Sequence, residues 1–265
     1  MCATCGFGGG DVMIGAVHPH GEIVHAHDHH DHDHHHHHDD APPARTVSLE
    51  QDILAKNRLL AERNRGWFAG REVFAVNLMS SPGAGKTSIL ERTMRELGDT
   101  LPISVLEGDQ ATSADAERIR ATGASVVQIN TGTGCHLDAH MVAHGVERLA
   151  PPRNSVLLIE NVGNLVCPAL FDLGEQARVV VVSVTEGDDK PLKYPHMFRA
   201  CDTLLINKID LLPYVRFDVE RCVAHAHEVN PGFRVMLLSA ETGEEMQSWY
   251  GFLSARETTL AGAAS

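Results

Sequence analysis

One eight-residue stretch, Ser80-Ser81-Pro82-Gly83-Ala84-Gly85-Lys86-Thr87, restricts this 265-residue chain more than any other. The run before it, Val73 to Met79, is apolar almost throughout, as in a strand covered on both faces. The run after it, Ser88 to Leu97, carries apolar residues at helical spacing. A strand, a Gly-rich turn and a helix opening on Gly-Lys-Thr together describe a phosphate-binding loop. Gly83, Ala84 and Gly85 let backbone N–H groups point at phosphate oxygens, and the helix N-terminus, with Ser88 in its first turn, adds partial positive charge. Lys86 is expected to reach the terminal phosphates and the Thr87 hydroxyl to hold Mg²⁺. The pattern departs at its first position, where Ser80 replaces the usual glycine. An ordinary Gly-rich turn is the competing reading.

Beyond residue 72, short apolar runs alternate with amphipathic stretches. The runs at 73–79, 103–107, 125–129, 155–160, 178–184, 202–206 and 233–238 read as strands, rich in Val, Ile and Leu. They predict an α/β domain, a mostly parallel sheet flanked by helices as in the P-loop NTPase fold. Ligands of such sheets sit beyond the carboxyl ends of the strands. Asp109 follows the second run, placed to approach Mg²⁺ or position water; a capping or solvent-facing carboxylate is the alternative. Glu160-Asn161-Val162-Gly163 closes the fourth, with Glu160 suited to Mg²⁺ and the Gly163 N–H suited to sensing a γ-phosphate. Asn207-Lys208-Ile209-Asp210 follows the sixth. Its Asp210 carboxylate matches the paired N–H donors of guanine, which adenine lacks. Asn207 braces the loop and Lys208 lies along the base. Ser239 and Ala240 follow the last run, where a backbone contact to the base is expected. Four such pieces in order predict a GTPase. Asn164, not Gln, follows Gly163, so turnover without a partner is expected to be slow.

The N-terminal part has a different character. Cys2 and Cys5 form a Cys-x-x-Cys pair, two thiolates able to meet one metal ion. From His18 to Asp40 the chain is mostly His and Asp and holds 12 of its 18 histidines, including His25, His27, His29, His30, His32, His34, His35, His36, His37 and His38. This segment lacks the apolar residues to offset its ordering entropy, so disorder is expected. Dense imidazoles interspersed with carboxylates suit Ni²⁺, Zn²⁺, Co²⁺ or Cu²⁺ held by exchangeable ligand sets, which favours storage over one selective site. An expression tag is the bland alternative. Residues 1–46 are therefore read as a metal-binding leader and 47–265 as the GTPase domain. A helix is expected over about 48–65, with Ser48 and Gln51 as a capping box.

A second constellation lies inside the domain. Cys135 and His136, in Gly-Thr-Gly-Cys-His, sit where a strand gives way to a helix, and Cys167 follows Gly163 by four residues. These are soft and borderline ligands suited to Ni²⁺ or Zn²⁺. A buried cysteine with a helix-capping histidine is the alternative. His140 and His144 continue at i+4 spacing; His140 could join the site, or both could face solvent. Cys201, Cys222, His225 and His227 read as structural. No apolar run of about 18 residues or more is present, which excludes a membrane-spanning helix. The opening residues lack a basic region before an apolar stretch, so a cytoplasmic location is expected. A net charge of −13 with no basic stripe argues against nucleic acid as a partner.

Over about residues 70–250 the chain resembles the hydrogenase nickel-incorporation GTPases of the HypB family. The motifs that carry this are Ser-Ser-Pro-Gly-Ala-Gly-Lys-Thr, Gly-Thr-Gly-Cys-His-Leu-Asp, Glu-Asn-Val-Gly-Asn-Leu-Val-Cys-Pro and Asn-Lys-Ile-Asp. The resemblance implies a nucleotide-dependent homodimer with Cys135, His136 and Cys167 as metal ligands near the dimer interface. It implies partners too: a hydrogenase nickel-insertion accessory protein and the [NiFe]-hydrogenase large-subunit precursor, to which nickel is delivered. One departure is Phe7, which stands where the family's N-terminal nickel motif often has a third cysteine. The urease-accessory GTPases are the runner-up; their metal motif runs Cys-Pro-His. A protein acting mainly as a nickel buffer and a general zinc chaperone are further alternatives.

Overall fold

The structure is a computed structural model that describes residues 43–109, 113–132 and 134–255. Cys2, Cys5 and the tract from His25 to His38 lie outside the described residues, as does the expectation of disorder for that segment. A single seven-stranded sheet organises the rest: β1 (Val73–Ser80), β2 (Ile103–Asp109), β3 (Ser125–Asn130), β4 (Ser155–Gly163), β5 (Ala177–Ser183), β6 (Thr203–Asn207) and β7 (Arg234–Leu238). Every pairing is parallel, in the order β3-β2-β4-β1-β5-β6-β7. All seven expected runs are strands, with ends moved by at most a few residues. This is the P-loop NTPase fold, with the phosphate loop leaving the central strand.

Eight α-helices flank the sheet among the described residues, six of them between strands: α1 (Pro43–Arg71), α2 (Lys86–Leu97), α3 (Ala114–Arg120), α4 (Ala139–Leu149), α5 (Lys190–Lys193), α6 (Pro195–Ala200), α7 (Val219–Val229) and α8 (Met246–Ser254). The period-2 alternation of β1 sends Phe74, Val76 and Leu78 to one face and Val73 and Ala75 to the other. The first face packs on Ile89, Leu90 and Met94 of α2, Ile119 of α3 and Trp249 and Leu253 of α8. The second meets Phe68 of α1 and Val142, Val146 and Leu149 of α4. Farther along the same face, β5 and β6 are covered by Met197 and Phe198 of α6 and by Cys222 and Ala226 of α7. Burial of large apolar side chains on both faces, at about 25 cal/mol per Å², is what holds a parallel sheet of this kind.

The first helix corrects an expectation. It begins at Pro43, before Ser48, so Ser48 lies within the helix and no capping box opens it. Proline suits the first helical position, where its missing N–H has no partner to lose. At its other end α1 reaches Arg71, and one left-handed residue, Glu72 (φ 56°), turns the chain into β1. Asn57 and Asn64 of this helix are buried and reach across the fold. Asn64 Nδ2 donates to Ala139 O (2.8 Å) and Leu173 O (2.9 Å). Asn57 donates to Asp172 O (2.8 Å) and accepts from Ala139 N (2.9 Å).

Candidate nucleotide and metal site

The phosphate loop leaves the end of β1 with Gly83 (φ 77°) and Gly85 (φ 99°) in conformations that side chains disfavour. A Cβ on Gly85 would stand 2.4 Å from Asn207 Nδ2, so the loop needs glycine there for space as well. Ser80, the departure from the usual pattern, is fully buried, and its hydroxyl accepts from Lys86 Nζ at 2.9 Å. It thus holds the lysine over the loop, in the place where phosphate oxygens would compete for it. Thr87 Oγ1 donates to Glu160 Oε1 at 2.7 Å. Lys86, Thr87 and Glu160 thus come together beside the phosphate loop, and Asp109 ends β2, the strand paired with β4.

Sequence reasoning missed Glu107. It stands directly opposite Glu160 on the neighbouring strand, so both carboxyls leave the same face of the sheet. Both residues are buried, and among the described residues Oε2 of each lacks a hydrogen-bond partner. Burial pushes the Glu107 carboxyl up to about 8, with Glu160 and Asp109 adding repulsion. Burial likewise raises Glu160 to about 7, opposed by Lys86 and the Thr87 hydrogen bond. Burial lowers the Lys86 ammonium from its usual value, while Glu160, Asp115, Glu107 and Asp109 pull it back. Two buried carboxylates with orphaned oxygens beside a threonine hydroxyl are a donor set for a hard divalent cation. The residues fit Mg²⁺.

A cavity of about 230 Å³ opens beside the loop, lined by Gly85, Ser88, Asn207, Lys208, Asp210 and Ala240 among others. Asn207 braces it: Nδ2 donates to Ala84 O (2.9 Å), and Oδ1 accepts from Lys208 N (2.7 Å) and Ala240 N (3.2 Å). Lys208 is left-handed (φ 65°), and its Nζ donates to Gly83 O at 2.8 Å. Ser239 Oγ donates to Asp210 Oδ1, which aims the carboxylate. Arg92 of α2 was not foreseen; it donates to Ala240 O (3.2 Å) and Glu241 O (2.9 Å) and so ties the last loop to the helix of the phosphate loop. Only the fold brings these distant residues together.

The fold brings the three residues of the second constellation together. The ligand atoms of Cys135, His136 and Cys167 lie within 4.8 Å of one another, all half-buried. His136 stacks on Phe171 (ring centroids 3.9 Å), and burial lowers its pKa, which keeps a ring lone pair available. The turn carrying Cys135 and His136 is fastened to the end of β4. Asn161 Oδ1 accepts from Leu137 N at 3.1 Å, and Asn164 Nδ2 donates to Cys135 O at 3.4 Å. A Cβ on Gly163 would stand 3.0 Å from Pro82 Cα, so the chain between Glu160 and Cys167 touches the phosphate loop on the way to the thiol. His140 does not join the three; its Nε2 faces His144 Nε2 at 3.1 Å. The remaining candidates stand outside this set. Cys201 and Cys222 are buried with thiols pushed up by burial, Cys222 to about 12, and His225 and His227 contact the carbonyls of Asp188 and Phe233.

This geometry has known counterparts. A family model described as CobW/HypB/UreG, nucleotide-binding domain, matches residues 74–236. The hydrogenase maturation factor HypB of Escherichia coli strain K12 is 57% identical over 209 residues, covering 79% of this chain and 72% of that protein. The crystal structure of HypB from Archaeoglobus fulgidus is 44% identical with a TM-score of 0.70, covering 76% of this chain and 98% of that one. The structure of HypB from Helicobacter pylori in complex with nickel is 36% identical with a TM-score of 0.73, covering 77% and 97%. No helix among the described residues is long and apolar enough to cross a membrane. By sequence and by architecture, the chain belongs to the HypB hydrogenase maturation factors of the CobW/HypB/UreG nucleotide-binding family.

Proposed function

We propose that the chain is a GTP-hydrolysing nickel metallochaperone of the cytoplasm. It stores nickel and, as a homodimer working with a nickel-insertion accessory protein, delivers it to the [NiFe]-hydrogenase large-subunit precursor. The observation that carries this reading is the short run from Gly163, packed on Pro82 of the phosphate loop, to Cys167 of the three-residue ligand set. Nickel is the cargo of Cys135, His136 and Cys167; Zn²⁺ is the competing occupant. The His-rich tract, with Cys2 and Cys5, is the reserve.

GTP lies with its phosphates on the backbone of Gly83, Ala84, Gly85, Lys86, Thr87 and Ser88. Its base sits in the cavity of Asn207, Lys208, Asp210, Ser239 and Ala240. Lys86 exchanges Ser80 for phosphate oxygens. Thr87, Glu160, Asp109 and Glu107 would hold Mg²⁺, which neutralises charge on the β- and γ-phosphates. The N–H of Gly163 senses the γ-phosphate, and its loss relaxes the segment that ends at Cys167. Asn164 is engaged with Cys135 O and Val166 N, which leaves no glutamine-like group there to orient water and fits slow intrinsic turnover.

Hydrogenase maturation under limiting nickel tests the reading. Lys86→Ala is expected to abolish maturation at any nickel supply. Deletion of residues 18–40 is expected to impair it only when nickel is scarce, with GTP turnover unchanged. Normal maturation by Lys86→Ala would instead make the protein a buffer.

A further inference from the structure

The end of β4 carries two polar residues back to back. Glu160 faces Thr87 and the phosphate loop, while Asn161 faces the other side of the sheet, where Leu137 and α4 pack. There Asn161 meets Asn77 of β1, and Asn77 meets Glu175, just ahead of β5; all three are buried. The bonds along this line run in one direction. Glu175 Oε1 accepts from Asn77 Nδ2 at 3.1 Å, Asn77 Oδ1 accepts from Asn161 Nδ2 at 3.2 Å, and Asn161 Oδ1 accepts from Leu137 N at 3.1 Å. A carboxylate only accepts, whereas an amide offers an acceptor on one side and a donor on the other. Glu175 therefore turns the NH₂ of Asn77 towards itself. That leaves the Asn77 carbonyl for the NH₂ of Asn161, and the Asn161 carbonyl for Leu137, the residue directly after Cys135 and His136. The second oxygen of Glu175 accepts from Leu173 N at 2.7 Å, two residues after Phe171, the ring on which His136 stacks. One carboxylate thus holds both the turn that bears two ligands and the segment behind them.

We propose that Glu175 and Asn77 are positioning residues for the metal turn: the carboxylate sets the direction of both amides, and that direction fastens Leu137 and with it Cys135 and His136. The proposal rests on the reading of Cys135, His136 and Cys167 as nickel ligands. Glu175→Gln keeps the shape but brings an NH₂ that must oppose either Leu173 N or the Asn77 NH₂. In the second case both amides turn over, and the Asn161 NH₂ then stands against Leu137 N, donor against donor. Adding Asn77→Asp restores the direction, because the acceptor-only group now stands one step along and takes a donor from each neighbour. Arg178, which donates to Glu175 Oε1 at 2.7 Å, also has Asp172 at 3.5 Å and keeps that partner in both variants.

Two measurements on the full-length chain test this. Hydrogen exchange of the Leu137 amide in metal-free protein, read by mass spectrometry with residue-level fragmentation, reports the tether itself. Titration with NiCl₂, followed at the thiolate-to-nickel charge-transfer band, reports its effect on the ligands. In Glu175→Gln the Leu137 amide is expected to exchange at least about tenfold faster and nickel to bind about tenfold more weakly. Asn77→Ala, which cuts the line without moving charge, should do the same, and it carries the test if the first variant does not fold. GDP affinity without metal should stay within about twofold of the parent in both. The Glu175→Gln, Asn77→Asp double variant should recover parental exchange and parental nickel affinity. Unchanged Leu137 exchange in both single variants would make the network a packing feature and overturn the proposal. Failure of the double variant to recover would equally overturn it, since the loss would then follow the missing charge and not the direction of the amides. A parent without a charge-transfer band, or one whose band survives Cys167→Ser, would remove the ligand reading instead, and Leu137 exchange, which needs no metal, would still judge the tether.

Discussion

At the scale of single residues, Glu107 shows how a site can work against the fold that carries it. Its carboxyl sits at about 8, far above the usual glutamate range, because burial and the facing Glu160 disfavour its charge. Between about pH 4.5 and 8 the unfolded chain has released this proton while the folded chain keeps it, so this residue makes stability fall as pH rises. Glu107→Gln removes that loss. Without nucleotide or Mg²⁺ the variant is expected to melt higher than the parent at pH 8, with the gap closing towards pH 5. Each 1 kcal/mol gained should shift the midpoint by about 2–4 °C. The same variant should need more Mg²⁺ to retain bound GDP, and a parent that melts higher at every pH would remove the carboxylate from this role. Asp210 offers a cleaner chemical test. Its two acceptor oxygens suit guanine; Asp210→Asn offers one acceptor and one donor, the pattern matched by xanthine. GTP affinity is expected to drop about a hundredfold, or about 3 kcal/mol, and xanthosine triphosphate to bind in its place. Competition binding of the two nucleotides decides it, and equal losses for both would mean only that the loop had collapsed.

At the scale of elements, α1 acts as a clamp. Its asparagines hold Ala139, at the start of α4 just past His136, and the 172–173 segment that follows Cys167 and Phe171. Removing the amide in Asn64→Ala takes a donor from the carbonyls of Ala139 and Leu173, at a total cost of about 1–3 kcal/mol. Nickel affinity of the three-residue set is expected to weaken while GDP affinity stays unchanged; titration of each ligand separates the two. If both stay unchanged while stability falls, the clamp serves the fold alone. None of this was legible before folding. The strands were, because near-continuous Val, Ile and Leu runs have few other uses, and the phosphate loop and Asn207–Asp210 were, because their spacing is local. Glu107 was not, since an acid inside a strand acquires meaning only from the register that sets it against Glu160. Arg92, Asn57 and Asn64 act on loops far along the chain, where no spacing rule reaches. The start of α1 was misread for the opposite reason: Ser48 and Gln51 are a local signal for a cap, and Pro43 starts the helix earlier without violating any backbone rule.

At the scale of the whole molecule, the two proposed ligand sites share one piece of chain. Glu160 contacts Thr87, Gly163 lies on Pro82, Asn161 and Asn164 hold the Cys135 turn, and Cys167 completes the ligand set, all between the end of β4 and the short turn that follows. A segment that contacts both sites moves for both, so nucleotide state and nickel occupancy should bias one equilibrium. Linkage then fixes a quantitative relation: the factor by which a GTP analogue changes nickel affinity equals the factor by which nickel changes affinity for that analogue. Coupling of about 1–3 kcal/mol, a change of about 5–150-fold, is the range expected for such a device. Six dissociation constants test it: nickel with GDP and with a non-hydrolysable GTP analogue, and each nucleotide with and without nickel. Cys167→Ser is the informative variant, because Cys167 lies beyond the phosphate contacts. It should leave nucleotide affinity in the absence of metal as in the parent, while nickel ceases to affect it. A cycle with equal nickel affinities in both nucleotide states would leave the phosphate loop and the thiols as neighbours without a common switch.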